Sequence, residues 1–99
     1  MTTLEPDLAK ARADSVTLTE DALSVDLEDG RTITVPIVWF PRLSHASKEE
    51  RRDFHLIARG HGIHWPQLDE DISIRSLLAG RRSDESAESL QAWLASRKR

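Results

Sequence analysis

The stretch SVTLTEDALSVDLEDGRTITVP, residues 15–36, decides the fold. Val16 and Leu18 alternate with Ser15, Thr17 and Thr19; Leu23, Val25 and Leu27 alternate with Ser24, Asp26 and Glu28; Ile33, Val35 and Ile37 alternate with Thr32, Thr34 and Pro36. A period of two sends alternate side chains to opposite faces of a strand, so three strands with one apolar face each are expected. The turn chemistry then sets the register. Asp29-Gly30 resembles a two-residue hairpin loop. That loop would pair Leu27 with Thr32 and Val25 with Thr34, apolar against polar. A three-residue loop, Glu28-Asp29-Gly30, pairs Val25 with Ile33 and Leu23 with Val35 and puts the apolar set on one face. It requires a bulge and a left-handed Gly30. A turn centred on Glu20-Asp21 pairs Leu18 with Leu23 and Val16 with Val25. The expected result is an antiparallel meander that needs a second layer over its buried face.

Beyond Pro36 the chain reads as short pieces. Pro36 and Pro41 bar a central strand, and of the adjacent aromatics Trp39 and Phe40 one is expected buried and one partly exposed. Ser47 with Glu50 forms a capping box for a short polar helix, Lys48-Glu49-Glu50-Arg51-Arg52-Asp53, whose charges read as a solvated face. Residues 54–58, FHLIA, and Ile63-His64-Trp65 read as a shorter strand pair around the Gly60 and Gly62 turn. Ser73 caps a helix from Ile74 to Ala79, ended by Gly80. Ser83-Asp84-Glu85-Ser86 reads as a helix start, and Ala87, Leu90 and Leu94, with Trp93 beside them, fall on one helical face.

The fold class expected is therefore α+β: a small antiparallel sheet, made of the meander plus the shorter strand pair, covered by short helices and followed by a C-terminal helical tail. Three parts follow: a flexible N-terminal segment, 1–13; an α+β domain, 14–80; and a polar linker with an amphipathic helix, 81–99. The expected buried set is Val16, Leu18, Leu23, Val25, Leu27, Ile33, Val35, Leu56, Ile63, Leu77 and Leu78.

Composition excludes several classes. With 38% hydrophobic and 31% charged residues the chain of 99 residues is too apolar to be wholly disordered, and it builds one modest core. The absence of cysteine removes disulfides, thiol catalysis and Cys-based zinc sites. No apolar run is long enough to span a bilayer, and MTTLEPDLAKARAD lacks the basic-then-apolar order of an export signal, so a cytoplasmic location without membrane association is expected. The net charge of −3 is uneven. Residues 14–80 carry twelve acids against seven bases, whereas the tight basic groups, Arg81-Arg82 and Arg97-Lys98-Arg99, lie in the tail. An acidic body disfavours nucleic acid as a partner.

No catalytic constellation emerges. His61 and His64 with Asp69, Glu70 and Asp71 offer metal-ligand chemistry, but the surrounding glycine and proline keep the histidines off one helix face, and no metal or cofactor is expected. Ser44, Ser47 and Ser73 lack a nucleophile setting, and Gly60-His61-Gly62 is too short for a phosphate loop. One polar pair stands out. With Ile63 and Trp65 inward, His64 faces outward, where Asp69 or Asp71 can accept a hydrogen bond from its imidazole. Such a pair serves as a structural clasp or as a recognition spot beside Trp39 or Phe40.

Trp39-Phe40-Pro41-Arg42-Leu43, Glu50-Arg51, Gly62-Ile63-His64-Trp65-Pro66 and Leu68-Asp69-Glu70-Asp71-Ile72-Ser73 together resemble a small bacterial family of uncharacterised proteins, domain of unknown function 2442, over about residues 14 to 80. The resemblance implies a small α+β domain and supplies no catalytic residues. It also implies a setting in which members are encoded beside short proteins suspected of belonging to toxin–antitoxin pairs. The expected function is a non-catalytic protein-binding module, antitoxin-like, whose partner is the product of an adjacent gene. Trp39, Phe40, His64, Leu90, Trp93 and Leu94 are the candidate partner-binding residues, and a homo-oligomer is compatible with the sequence. The alternatives are a DNA-binding transcriptional regulator and a metal-binding or enzymatic domain centred on His64.

Overall fold

The structure, a computed structural model, describes residues 11–97. Residues 1–10 of the expected flexible segment lie outside the described residues. Ala11 is already buried, and the first strand starts at Ala13.

Strands β1 (Ala13–Leu18), β2 (Ala22–Leu27) and β3 (Thr32–Pro36) form an antiparallel meander. Val16 lies opposite Val25, Leu18 opposite Leu23, Val25 opposite Ile33 and Leu23 opposite Val35, the register that the apolar pattern requires. The Leu27 N–H donates to the Arg31 carbonyl at 2.8 Å across the three-residue loop, and Gly30 takes φ +97°. The solvent face is knit by polar pairs. Asp26 accepts from Ser15 at 2.8 Å and from Thr32 at 2.7 Å, and the Ser24 and Thr34 hydroxyls meet at 2.8 Å.

The second half holds a separate sheet rather than an extension of the first. Its strands are β4 (His55–Ile57), β5 (Gly62–Trp65) and β6 (Glu70–Ser73), again an antiparallel meander. The third strand corrects the expectation of a strand pair followed by a loop and a helix start. β6 has four residues and a single buried position, Ile72, which is too short a run to show periodicity.

Short helices join the sheets. A 3₁₀ turn (Ile37–Trp39) leads into α1 (Pro41–Ser44), where Pro41 suits the first helical position because its missing N–H would have had no partner. The capping box of α2 (Lys48–Arg52) is present: the Ser47 hydroxyl accepts from the Glu50 N–H, and Glu50 accepts from the Ser47 N–H. Ser73 caps α3 (Ile74–Leu78), and Gly80 follows in the left-handed region. The last helix, α4 (Ala87–Arg97), is capped by Ser86, so Asp84 and Glu85 fall before its first turn rather than inside it.

Both sheets contribute to one core. Leu23, Val25, Leu27 and Val35 of the first meet Ile63, Trp65 and Ile72 of the second, with Ile37, Phe40, Leu43, Leu68, Ile74 and Leu77 between them. Val16, Leu18, Ile33 and Leu78 pack against this cluster but are only partly buried. Leu56 departs from the expected set. It sits on an edge strand of three residues and stays 40% exposed.

One residue also links the sheets, its side chain reaching the first and its main chain the second. Arg51 donates through Nε to the Leu43 carbonyl at 2.8 Å and through Nη2 to Ser44 at 3.1 Å, at the end of α1. Its Nη1 reaches the Thr19 and Glu20 carbonyls, 3.3 and 3.4 Å away, in the β1–β2 turn. Its own carbonyl accepts from Trp65 Nε1 in β5 at 2.9 Å.

Two glycines separate backbone strain from crowding. A Cβ at Gly30 would meet nothing within 4 Å, so Gly30→Val pays only for its positive φ, about 1–2 kcal/mol. At Gly60, φ +88°, a Cβ would sit 3.0 Å from the Ala13 carbonyl oxygen, so Gly60→Ala adds a backbone clash and is expected to cost more, roughly 2–4 kcal/mol. Urea unfolding of the two variants checks the order; equal costs would mean that β1 moves away from Gly60 freely.

Candidate functional site

An open groove of about 370 Å³ lies between β6, α1 and the segment leading to α4, lined among others by Phe40, Arg42, Glu70, Asp71, Arg82 and Glu85. Arg42 projects into it from α1. Its Nε and Nη2 donate to both carboxylate oxygens of Glu85 at 2.7 and 2.8 Å, and its Nη1 donates to the Leu68 and Asp69 carbonyls at 2.9 and 3.3 Å. Hydrogen bonding to Arg42 holds the Glu85 carboxyl below its ordinary range, and the same bonds raise the Arg42 guanidinium. Asp69, whose carbonyl Arg42 holds, takes φ +51° in the turn into β6.

Glu70 differs from the other acids. It is half-buried, and burial pushes its carboxyl up to about 7, partly opposed by the positive charge of Arg42 and reinforced by Glu85 and Asp71. This group therefore gains or loses its proton near neutrality. No nucleophile is poised beside it. The Ser73 hydroxyl caps α3 and donates to Ser76, and the Ser83 hydroxyl accepts from the Glu85 N–H. Among the described residues no three His, Cys, Asp or Glu side chains are grouped to hold a metal ion.

The candidate residues read from sequence are only partly brought together. Phe40 is buried and lines the groove; Trp39 is half-buried, with the Arg82 guanidinium 4.9 Å from its ring centroid. The one-buried, one-exposed expectation for this pair holds. His64 faces outward, with Ile63 and Trp65 fully buried, and its Nδ1 bonds Asp71. Asp71 approaches as the cross-strand neighbour of His64 in β6, not from a folded-back loop. Leu90, Trp93 and Leu94 of α4 are each half-buried. Trp93 has the Arg42 guanidinium at 5.1 Å and that of Arg97 at 4.5 Å from its ring centroid. Arg97 in turn donates to both carboxylate oxygens of Glu50 at 2.9 and 2.7 Å, which holds the Glu50 carboxyl down at about 2.

Composition and spacing do not point to Arg42 or Arg51, and they point to Glu70 only as one of a possible metal-ligand set. Their signal lay in the motif that carried the family resemblance, which contains all three. The charge run 48–53 read as a solvated face, yet Arg51 points its guanidinium inward to backbone carbonyls and Glu50 anchors α4.

The family model for "protein of unknown function (DUF2442)" matches residues 13–83. The chain belongs to this family. Among solved structures, a DUF2442-like fold recurs in a protein of unknown function from Rhodospirillum rubrum, 29% identical, with 77% of this chain and 94% of that one covered at a TM-score of 0.66. An uncharacterised protein from Chromobacterium violaceum, solved by solution NMR, is 25% identical, with 91% and 79% covered and a TM-score of 0.64. No curated protein matches the chain. Among the described residues no helix of this DUF2442 member is long and apolar enough to cross a membrane.

Glu70 yields a pH prediction. Unfolded, its carboxyl titrates near 4.5; folded, near 7. Between these values the folded chain keeps a proton that the unfolded chain has lost, so this group makes stability fall as pH rises. Glu70→Gln is expected to stabilise the protein at pH 8 by roughly 1–3 kcal/mol and to leave it nearly unchanged at pH 4. Urea unfolding at both pH values checks this, and equal effects at the two would remove burial of the charge as the cause.

Proposed function

We propose that this DUF2442 member is a small, non-catalytic protein-binding module of the cytoplasm, antitoxin-like, that takes a basic partner encoded by an adjacent gene. The observation that carries the reading is the way α4 is attached. No residue of α4 is fully buried, and its described contacts with the body are side-chain ones: Glu50 with Arg97, Arg42 with Trp93, and the half-buried Leu90, Trp93 and Leu94. A helix of eleven residues is marginal alone in water, so it stays helical only while docked. Leu90, Trp93 and Leu94 share one side of α4, which is otherwise only weakly amphipathic and here lies half-buried against the body; in this proposal that side exchanges the body for a partner's groove. The acidic balance of residues 14–80 favours a basic protein over a phosphate backbone.

The test uses the full chain and the purified product of the adjacent gene. Trp93→Ala is expected to weaken their association by about 2 kcal/mol or more, the usual scale for an aromatic anchor, measured well below the unfolding temperature of the variant because Trp93 also packs against the core. Unchanged affinity for Trp93→Ala and for Leu90→Asp would remove α4 as the binding element. An association that weakens steeply with salt on promoter DNA, with none on the protein, would favour the regulator instead.

A further inference from the structure

Strand β4 plays no part in the groove or in the attachment of α4. All three of its residues are exposed, and Leu56 and Ile57 keep 40% and 39% of their surface in solvent. Among the described residues β4 pairs on one side only, with β5, and forms an edge of the second sheet. Leu56 lies opposite the buried Ile63, on the core face; Ile57 lies opposite Gly62, on the other. A partner lying on either face of the sheet would cover one of the two. A strand added at the edge covers both, and satisfies the outward backbone N–H and C=O groups as well.

The flanking charges select the strand. Asp53 and Arg59 stand three residues to either side of Leu56 and carry opposite signs. Parallel pairing with an identical strand would bring like charges together. Antiparallel pairing about a two-fold axis at Leu56 brings Asp53 of one copy to Arg59 of the other at both ends. It also sets Leu56 against Leu56 and His55 against Ile57. The ribbon is short, because Ala58 and Arg59 turn the chain away with φ of +51° and +57°. Arg59 is exposed just past that turn, and its long side chain is the group that reaches Asp53 of the other copy in this arrangement. Asp53 keeps one carboxylate oxygen on Gln67 Nε2 at 2.9 Å, and its other oxygen lies 4.0 Å from His55 Nε2. We propose that two copies of this chain associate through β4, antiparallel, with Leu56 on the two-fold axis.

Sedimentation equilibrium of the full chain from about 10 μM to about 1 mM is expected to give a monomer–dimer equilibrium of the weak kind that a short edge supports. Leu56→Lys and Leu56→Glu each set like charges face to face and are expected to weaken association about tenfold or more. An equimolar mixture of the two restores it, because the pair is now complementary. A second route uses Asp53→Arg, which weakens association, and Asp53→Arg with Arg59→Asp, which restores it, each read against its unfolding temperature because Asp53 also holds Gln67. A monomer throughout the range overturns the proposal. So does a dimer indifferent to substitution at Leu56, or a mixture that stays monomeric while both variants keep the wild-type unfolding temperature.

Discussion

The fold turns on the guanidinium of Arg51. Helices of four and five residues leave most of their terminal carbonyls without intrahelical partners, and a buried carbonyl without a partner is costly. Arg51 answers this at a single point: its N–H groups reach two carbonyls at the end of α1 and two in the β1–β2 turn, and its own carbonyl takes the Trp65 indole. One residue thereby ties the first sheet, the connecting helix and the second sheet. Lysine has three donors on a point charge and no planar fork, so it cannot hold the same set. Arg42 repeats the device on the far side, on the carbonyls of Leu68 and Asp69, while pairing with Glu85. A chain without cysteine, with two three-stranded sheets and one-turn helices, closes its core with arginine–carbonyl bonds.

That economy shapes what faces outward. In the groove Arg42 is paired with Glu85, and one carboxyl, Glu70, is pushed toward neutrality by burial. Of the serines that line the groove, Ser73 caps α3, Ser76 accepts from its hydroxyl, and Ser83 holds the Glu85 N–H. Among the described residues the large exposed apolar side chains are Val38 and, on β4, Leu56 and Ile57, while the Arg97–Glu50 ion pair and Trp93 hold α4 to the surface.

Much of this was legible in the sequence, for identifiable reasons. The meander and its register follow from strict alternation, because a slip of one residue would expose Val25 or Ile33. Ser47, Ser73 and Gly80 are where local hydrogen-bond and backbone rules place them. The outward His64 follows from strand parity, whereas its partner Asp71 reaches it from β6 and not from the folded-back loop that the sequence suggests. The misses have physical causes as well. β6 is too short to show a period. Leu56 has the parity of a core residue but lies on an edge, and position within a sheet is a tertiary property. Arg51 and Glu50 look like a solvated helix face because composition cannot say toward which carbonyl or cation a long side chain bends. The groove joins residues more than forty positions apart, Arg42 and Glu85, and no local pattern links them.

The central claim is that the Arg51 fork, and not merely a positive charge at that position, pins the end of α1 to the β1–β2 turn. Equilibrium urea unfolding of Arg51→Lys tests it most directly. The variant keeps the charge and most of the stem but cannot serve carbonyls on both α1 and the β1–β2 turn. The account predicts a loss of about 2–4 kcal/mol. A variant as stable as the wild type to within about 0.5 kcal/mol would contradict it.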